Sequence, residues 1–108
     1  MNRCYQKALE IAKALRFDST LFVLDPREAI TTYSSYFTIL PAGIVLMDSE
    51  DGKGRIEWNR PIEKRWCIEV RVSDHKKGHG LDFTAGSDVR KAVERIQKHI
   101  VKEVAKVS

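Results

Sequence analysis

Between Val72 and Val89 the spacing of apolar residues changes from two to three or four. Trp66, Ile68, Val70 and Val72 alternate with Arg65, Cys67, Glu69 and Arg71, the pattern of a strand with one buried and one wet face. Val89, Val93, Ile96, Ile100, Val104 and Val107 then fall on one stripe of a helix. A chain with both patterns has to bury a sheet face against a helix stripe. The regular polar alternation selects an antiparallel sheet, because parallel strands covered on both sides read as continuous apolar runs.

The remaining segments extend this to an α+β fold with an N-terminal helix, a meander of about four to five strands and a long C-terminal amphipathic helix. Cys4, Ala8, Ile11, Ala12 and Leu15 have helical spacing, and the pattern predicts a helix over 3–16. Leu21 to Leu24 reads as a short strand. Asp25-Pro26-Arg27-Glu28 looks like a helix start, with Asp as cap and Pro at the first helical position. Ala29, Ile30, Tyr33, Tyr36, Phe37 and Leu40 follow at helical spacing, so a helix is expected over about 26–38. Thr31, Thr32 and the aromatics favour a strand there instead. Strands are expected at Ile44–Met47, around Ile56 and Trp58, from 66 to 72, and at Leu81–Thr84. Ser87 is the expected cap of the last helix, with Asp88 in its first turn.

The chain of 108 residues, 43% of them hydrophobic, suits a single domain spanning 1–108. No apolar run approaches the roughly 18 residues of a membrane span, and Met1-Asn2-Arg3-Cys4 has no apolar signal core. The expectation is a soluble intracellular protein, cytoplasmic or nuclear. Cys4 and Cys67 are too few for a disulfide framework or a zinc pattern and are expected to be reduced.

Charge is the one compositional feature that bears on function. The net charge is +4, yet residues 1–54 carry −1 and residues 55–108 carry +5. In the last helix Lys91, Arg95, Lys98, Lys102 and Lys106 each stand two positions beyond a member of the apolar stripe. That is about 200° around the axis, so the basic stripe is expected to face directly away from the core. Glu94 with Lys98 and Glu103 with Lys106 are the pairs that would soften it. A second basic feature is the loop Asp74-His75-Lys76-Lys77-Gly78-His79-Gly80, where glycines let backbone N–H groups approach an anion. Lysines near a helix C-terminus also suit an ordinary solvated face, since they complement the helix dipole.

Several chemistries are excluded by spacing. Gly52-Lys53-Gly54 lacks the upstream glycine and following Ser/Thr of a phosphate-binding loop. Asp48, Glu50 and Asp51 begin like a calcium loop, but Lys53 and Asn59 occupy its sixth and twelfth positions. No Gly-x-Ser-x-Gly elbow is present. His75, His79 and Asp74 lie on a glycine loop without the preset geometry of a ligand helix. No cofactor, metal or catalytic residue is expected.

The order helix, three-strand meander, helix over about 55–104 resembles a double-stranded-RNA-binding domain. That family has lysines at the start of its last helix, where this chain has Ser87-Asp88-Val89-Arg90-Lys91. A meander closed by a long C-terminal helix is also similar to pleckstrin-homology-like barrels, which would need residues 29–40 as strand and would imply a peptide or lipid-headgroup ligand. The expectation is a non-enzymatic binding protein whose Lys91, Arg95, Lys98, Lys102, Lys76 and Lys77 contact a polyanion, nucleic acid foremost. The alternative is a protein-interaction or regulatory module using the aromatic segment with Tyr33, Tyr36 and Phe37.

Overall fold

A computed structural model describes residues 2–29, 33–42, 66–74 and 81–107, and the backbone of 46–48 and 56–58. The elements are α1 (Arg3–Leu15), β1 (Leu21–Val23), β2 (Arg27–Glu28), β3 (Ser34–Pro41), β4 (Leu46–Asp48), β5 (Ile56–Trp58), β6 (Ile68–Ser73), β7 (Asp82–Phe83) and α2 (Val89–Val107). This is the α+β class that the two periods require.

Helix α1 starts at Asn2, whose side chain accepts a hydrogen bond from the Cys4 amide at 2.8 Å and so satisfies one of the first-turn donors. Its buried face is Cys4, Ala8, Ile11, Ala12 and Leu15, the stripe expected from spacing. Beyond it, Asp18 accepts from the Thr20 amide at 2.9 Å and hydroxyl at 2.6 Å, closing a tight turn into β1.

The expected helix over 26–38 is not formed. Residues 34–41 are β3, the central strand of the sheet, and 27–28 are β2. Ser35, Phe37 and Ile39 point into the core while Tyr36 faces outward, a period of two that the helical reading had taken as three and four. β3 pairs antiparallel with β6 over 34–39 along one edge, and with β1 and β2 along the other. Two-sided pairing satisfies the backbone of a β-branched and aromatic segment better than an isolated helix would.

The main sheet runs β1-β3-β6-β7, with β2 also on β3, and β4 and β5 form a separate antiparallel pair. One pairing departs from the antiparallel expectation. β7 lies parallel to β6, with Arg71 opposite Asp82 and Val72 opposite Phe83. The sheet is therefore mixed, and among the described residues the three-strand meander that the double-stranded-RNA-binding resemblance needs over 55–104 is not formed: β5 pairs with β4, and β7 runs with β6 rather than against it.

A single apolar cluster joins the layers. Phe37, Ile39, Ile68, Val70, Val72 and Phe83 of the sheet meet α1 through Ile11 and Leu15, and α2 through Ala92, Ile96 and Ile100. Trp66 and Leu81 belong to it, as their alternation predicts. The Trp58 side chain lies outside the described residues. At the far end of β6, Asp74 Oδ1 accepts the Ala85 amide at 3.0 Å and ties this strand to the turn before α2. No helix among the described residues is long and apolar enough to cross a membrane.

Candidate nucleic-acid interface

Helix α2 begins differently from the expectation. Asp88, not Ser87, caps it: Asp88 Oδ1 accepts the Lys91 amide at 3.0 Å, the bond from the residue before the helix to its third position. Ser87 closes the preceding turn, its hydroxyl accepting the Thr84 amide at 2.9 Å while its own amide donates to the Thr84 carbonyl.

The apolar stripe faces the core over most of its length: Ile96 and Ile100 belong to the buried cluster and Val89 and Val93 pack against it. Ala92, Ile96 and Ile100 are buried, with His99 and Glu103 partly so, whereas Val104 is 43% exposed. Lys98 and Lys102 stand two positions beyond buried Ile96 and Ile100, about 200° around the axis, and Lys91 stands likewise beyond Val89. Arg95 has a contact that the spacing does not announce: its guanidinium carbon lies 5.3 Å from the centroid of the Phe83 ring. Arg95 is folded back onto β7 as a cation–π partner.

Lys91, Lys98 and Lys102 are exposed. Glu94 pairs with Arg90 at 3.5 Å rather than with Lys98. Glu103 holds Lys106 at 3.2 Å, as its spacing predicts, and lies 3.6 Å from His99 Nε2. Lys91, Lys98 and Lys102 have no ion pair among the described residues. Three ammonium groups with no ion pair among the described residues thus line about 16 Å of the helix, at a rise of about 1.5 Å per residue. Lys76 and Lys77, with His75 and His79, lie outside the described residues. Asp74 is engaged by Ala85, and no group of three metal-ligating side chains occurs among the described residues.

On the wet face of the sheet Arg71 Nε lies 3.9 Å from Asp82 Oδ1, its partner across the parallel β6–β7 pair. Both cysteines are free thiols. Burial pushes the Cys4 thiol above its ordinary value, and the neighbouring Asp74 carboxylate adds to this. Cys67 is raised too, first by partial burial and then by Glu69. Neither is primed as a nucleophile, which requires a lowered value.

A groove of about 250 Å³ between β6 and α2 has no counterpart in the sequence reading. It is lined by Cys67, Ile68, Glu69, Leu81, His99 and Glu103, among others. Residues 30 positions apart meet there, and nothing in local spacing announces such a meeting.

No protein-family model, curated protein or solved structure matches the chain.

Proposed function

We propose that this chain is a small non-enzymatic binding protein that holds a polyanion, nucleic acid foremost, along the flank of α2. The supporting observation is the row Lys91, Lys98 and Lys102, exposed and without carboxylate partners among the described residues. Like charges along one helix flank cost stability unless a counter-charge is present, and phosphates supply one. In this reading the three lysines are phosphate contacts, and Lys76 and Lys77, outside the described residues, are further candidates by sequence. Arg95 is a weaker contributor because its guanidinium is committed to Phe83.

The test is a salt titration of binding to a mixed-sequence DNA duplex. Three phosphate contacts give a slope of log K against log salt near about −2.7. Lys91/Lys98/Lys102→Glu abolishes binding while leaving the circular dichroism spectrum unchanged. Absence of binding to duplex or single-stranded nucleic acid at low salt overturns the reading.

One observation favours a second reading, a protein-interaction module. Tyr33 is 70% exposed and Tyr36 39% exposed, where the apolar spacing of 29–40 would have buried them. Partner capture that survives nuclease treatment and is lost in a Tyr33/Tyr36→Ala variant would select it over the first.

A further inference from the structure

Both helices pack on one face of the main sheet, against Phe37, Ile39, Ile68, Val70 and Val72. The other face carries a row of side chains at matched register. Arg27 of β2 stands opposite Tyr36 of β3, Tyr36 opposite Arg71 of β6, and Arg71 opposite Asp82 of β7. Side chains directly opposite in an antiparallel pair share a face, with Cβ atoms about 4.5–5.5 Å apart. The Tyr36 ring is therefore bracketed by an arginine on either side. Arg27 and Arg71 are exposed, and Tyr36 is 39% exposed.

The fold makes no use of this ring among the described residues: its face and its hydroxyl have no ring or hydrogen-bond partner there. Arg27 has no ion pair there either. The carboxylates beside it in sequence are engaged elsewhere. Asp25 pairs with Arg16 Nη2 at 2.8 Å, and Glu28 Oε1 accepts the Asn2 amide at 3.4 Å. Arg71 differs, because Asp82 Oδ1 lies 3.9 Å from its Nε, and Glu69 is exposed two positions back on the same face. Positive charge without a counter-charge is thus concentrated on the β2 side of the ring.

That combination determines what fits. An exposed aromatic ring accepts a flat π-face, and the planar fork of an arginine matches a phosphate. A nucleotide carries both groups. Its base has to be unpaired, because a duplex offers only base edges in its grooves and keeps the base faces stacked on one another. A single strand lays its bases on aromatic side chains and its backbone on neighbouring cations.

We infer that this face of the sheet holds single-stranded nucleic acid, with one base stacked on Tyr36 and the adjoining phosphate on Arg27. Arg71, shared with Asp82, borders the base on the other side. The site goes beyond the lysine row of α2, which takes phosphates alone and belongs to the helix layer across the sheet. The two are separable by experiment.

The experiment uses the full chain, labelled with nitrogen-15, and three probes of equal charge. These are a thymidine tetranucleotide without terminal phosphates, its abasic counterpart, and a blocked triglutamate peptide. The tetranucleotide shifts the Tyr36 and Arg71 amide resonances and binds more tightly than the other two. Tyr36→Ala weakens it about five- to hundredfold, the range for one stacked base. Tyr36→Phe, which keeps the ring, binds as the parent does. Arg27→Gln weakens it and makes the slope of log K against log salt shallower by about 0.7. These shifts persist in Lys91/Lys98/Lys102→Glu, whatever becomes of duplex binding. The inference is overturned by equal binding of the abasic probe, by tighter binding of the peptide, by unchanged affinity in Tyr36→Ala, or by shifts confined to α2. The last of these would leave the reading of the lysine row standing.

Discussion

The guanidinium of Arg95 lies over the ring of Phe83, 5.3 Å from its centroid, and fastens the basic flank of α2 to the last strand of the sheet. A residue that looks in sequence like one more free cation is thereby a packing residue. Arg95→Ala should lower stability by about 0.5–1 kcal/mol, the range for a partly exposed cation–π pair. Lys98→Ala should change it by less than about 0.5 kcal/mol. Urea midpoints compared at one pH decide this, and equal midpoints for the two variants would show that the ring contact contributes nothing.

The fall in burial along the apolar stripe of α2 makes its own prediction. Ile96 is fully buried while Val104 is half-exposed. Ile96→Ala should cost about 2–4 kcal/mol, through lost transfer energy and a cavity. Val104→Ala should stay within about 0.5–1 kcal/mol. Similar losses at both positions, measured by denaturant unfolding, would show that Val104 is packed as closely as Ile96.

Strand or helix at β3 is decided by neighbours in sequence. A helix through 26–38 would bury Tyr33, Tyr36 and Phe37 together, whereas the strand buries Phe37 and turns Tyr36 outward. Phe37→Ala is expected to cost about 3–5 kcal/mol, and Tyr36→Ala less than half of that. Comparable losses at 36 and 37 would contradict the strand.

Acid sensitivity has a local source at Asp18. The Thr20 hydroxyl and amide donate to its carboxylate and hold it below the ordinary aspartate range. A carboxyl whose value is lower in the folded chain adds stability above its unfolded value and loses it as pH falls through the folded one. Thermal unfolding of Asp18→Ala should therefore differ from the parent near neutral pH, and the difference should shrink on acidification. A difference that grows toward low pH would reverse the sign and refute the assignment.

The cysteines should separate by labelling. Cys67 is exposed and Cys4 is buried beside Asp74. A thiol reagent should modify one residue per folded chain, at Cys67, with a rate that rises with pH because burial and Glu69 raise that thiol. Modification of Cys4 at an equal rate would show that α1 opens readily.

The residue pattern was sufficient wherever one element buries one periodic face. The five buried residues of α1 and the alternation Trp66, Ile68, Val70, Val72 are legible because helix and strand geometry alone determines which side chains share a face. It was insufficient at 26–38, where cap, proline and helical spacing agree with each other and lose to sheet pairing. The helix signals there are local, worth about 1 kcal/mol apiece, whereas β3 gains two neighbouring strands and a core position. The lysine row was legible because helix geometry sets it across from Ile96 and Ile100, whereas the fold of Arg95 onto Phe83 was not, because those two residues meet only through the tertiary structure.

By itself, then, the sequence determined the α+β class, the existence and type of α1, β6 and α2, and the concentration of positive charge in the second half. Tertiary structure alone decided that 34–41 is the central strand, that β7 runs parallel to β6, and that Arg95 folds onto Phe83. The division has one physical reason. Periodicity records which face of an element avoids water, while strand order, direction and edges depend on partners distant in the chain, which no local spacing encodes.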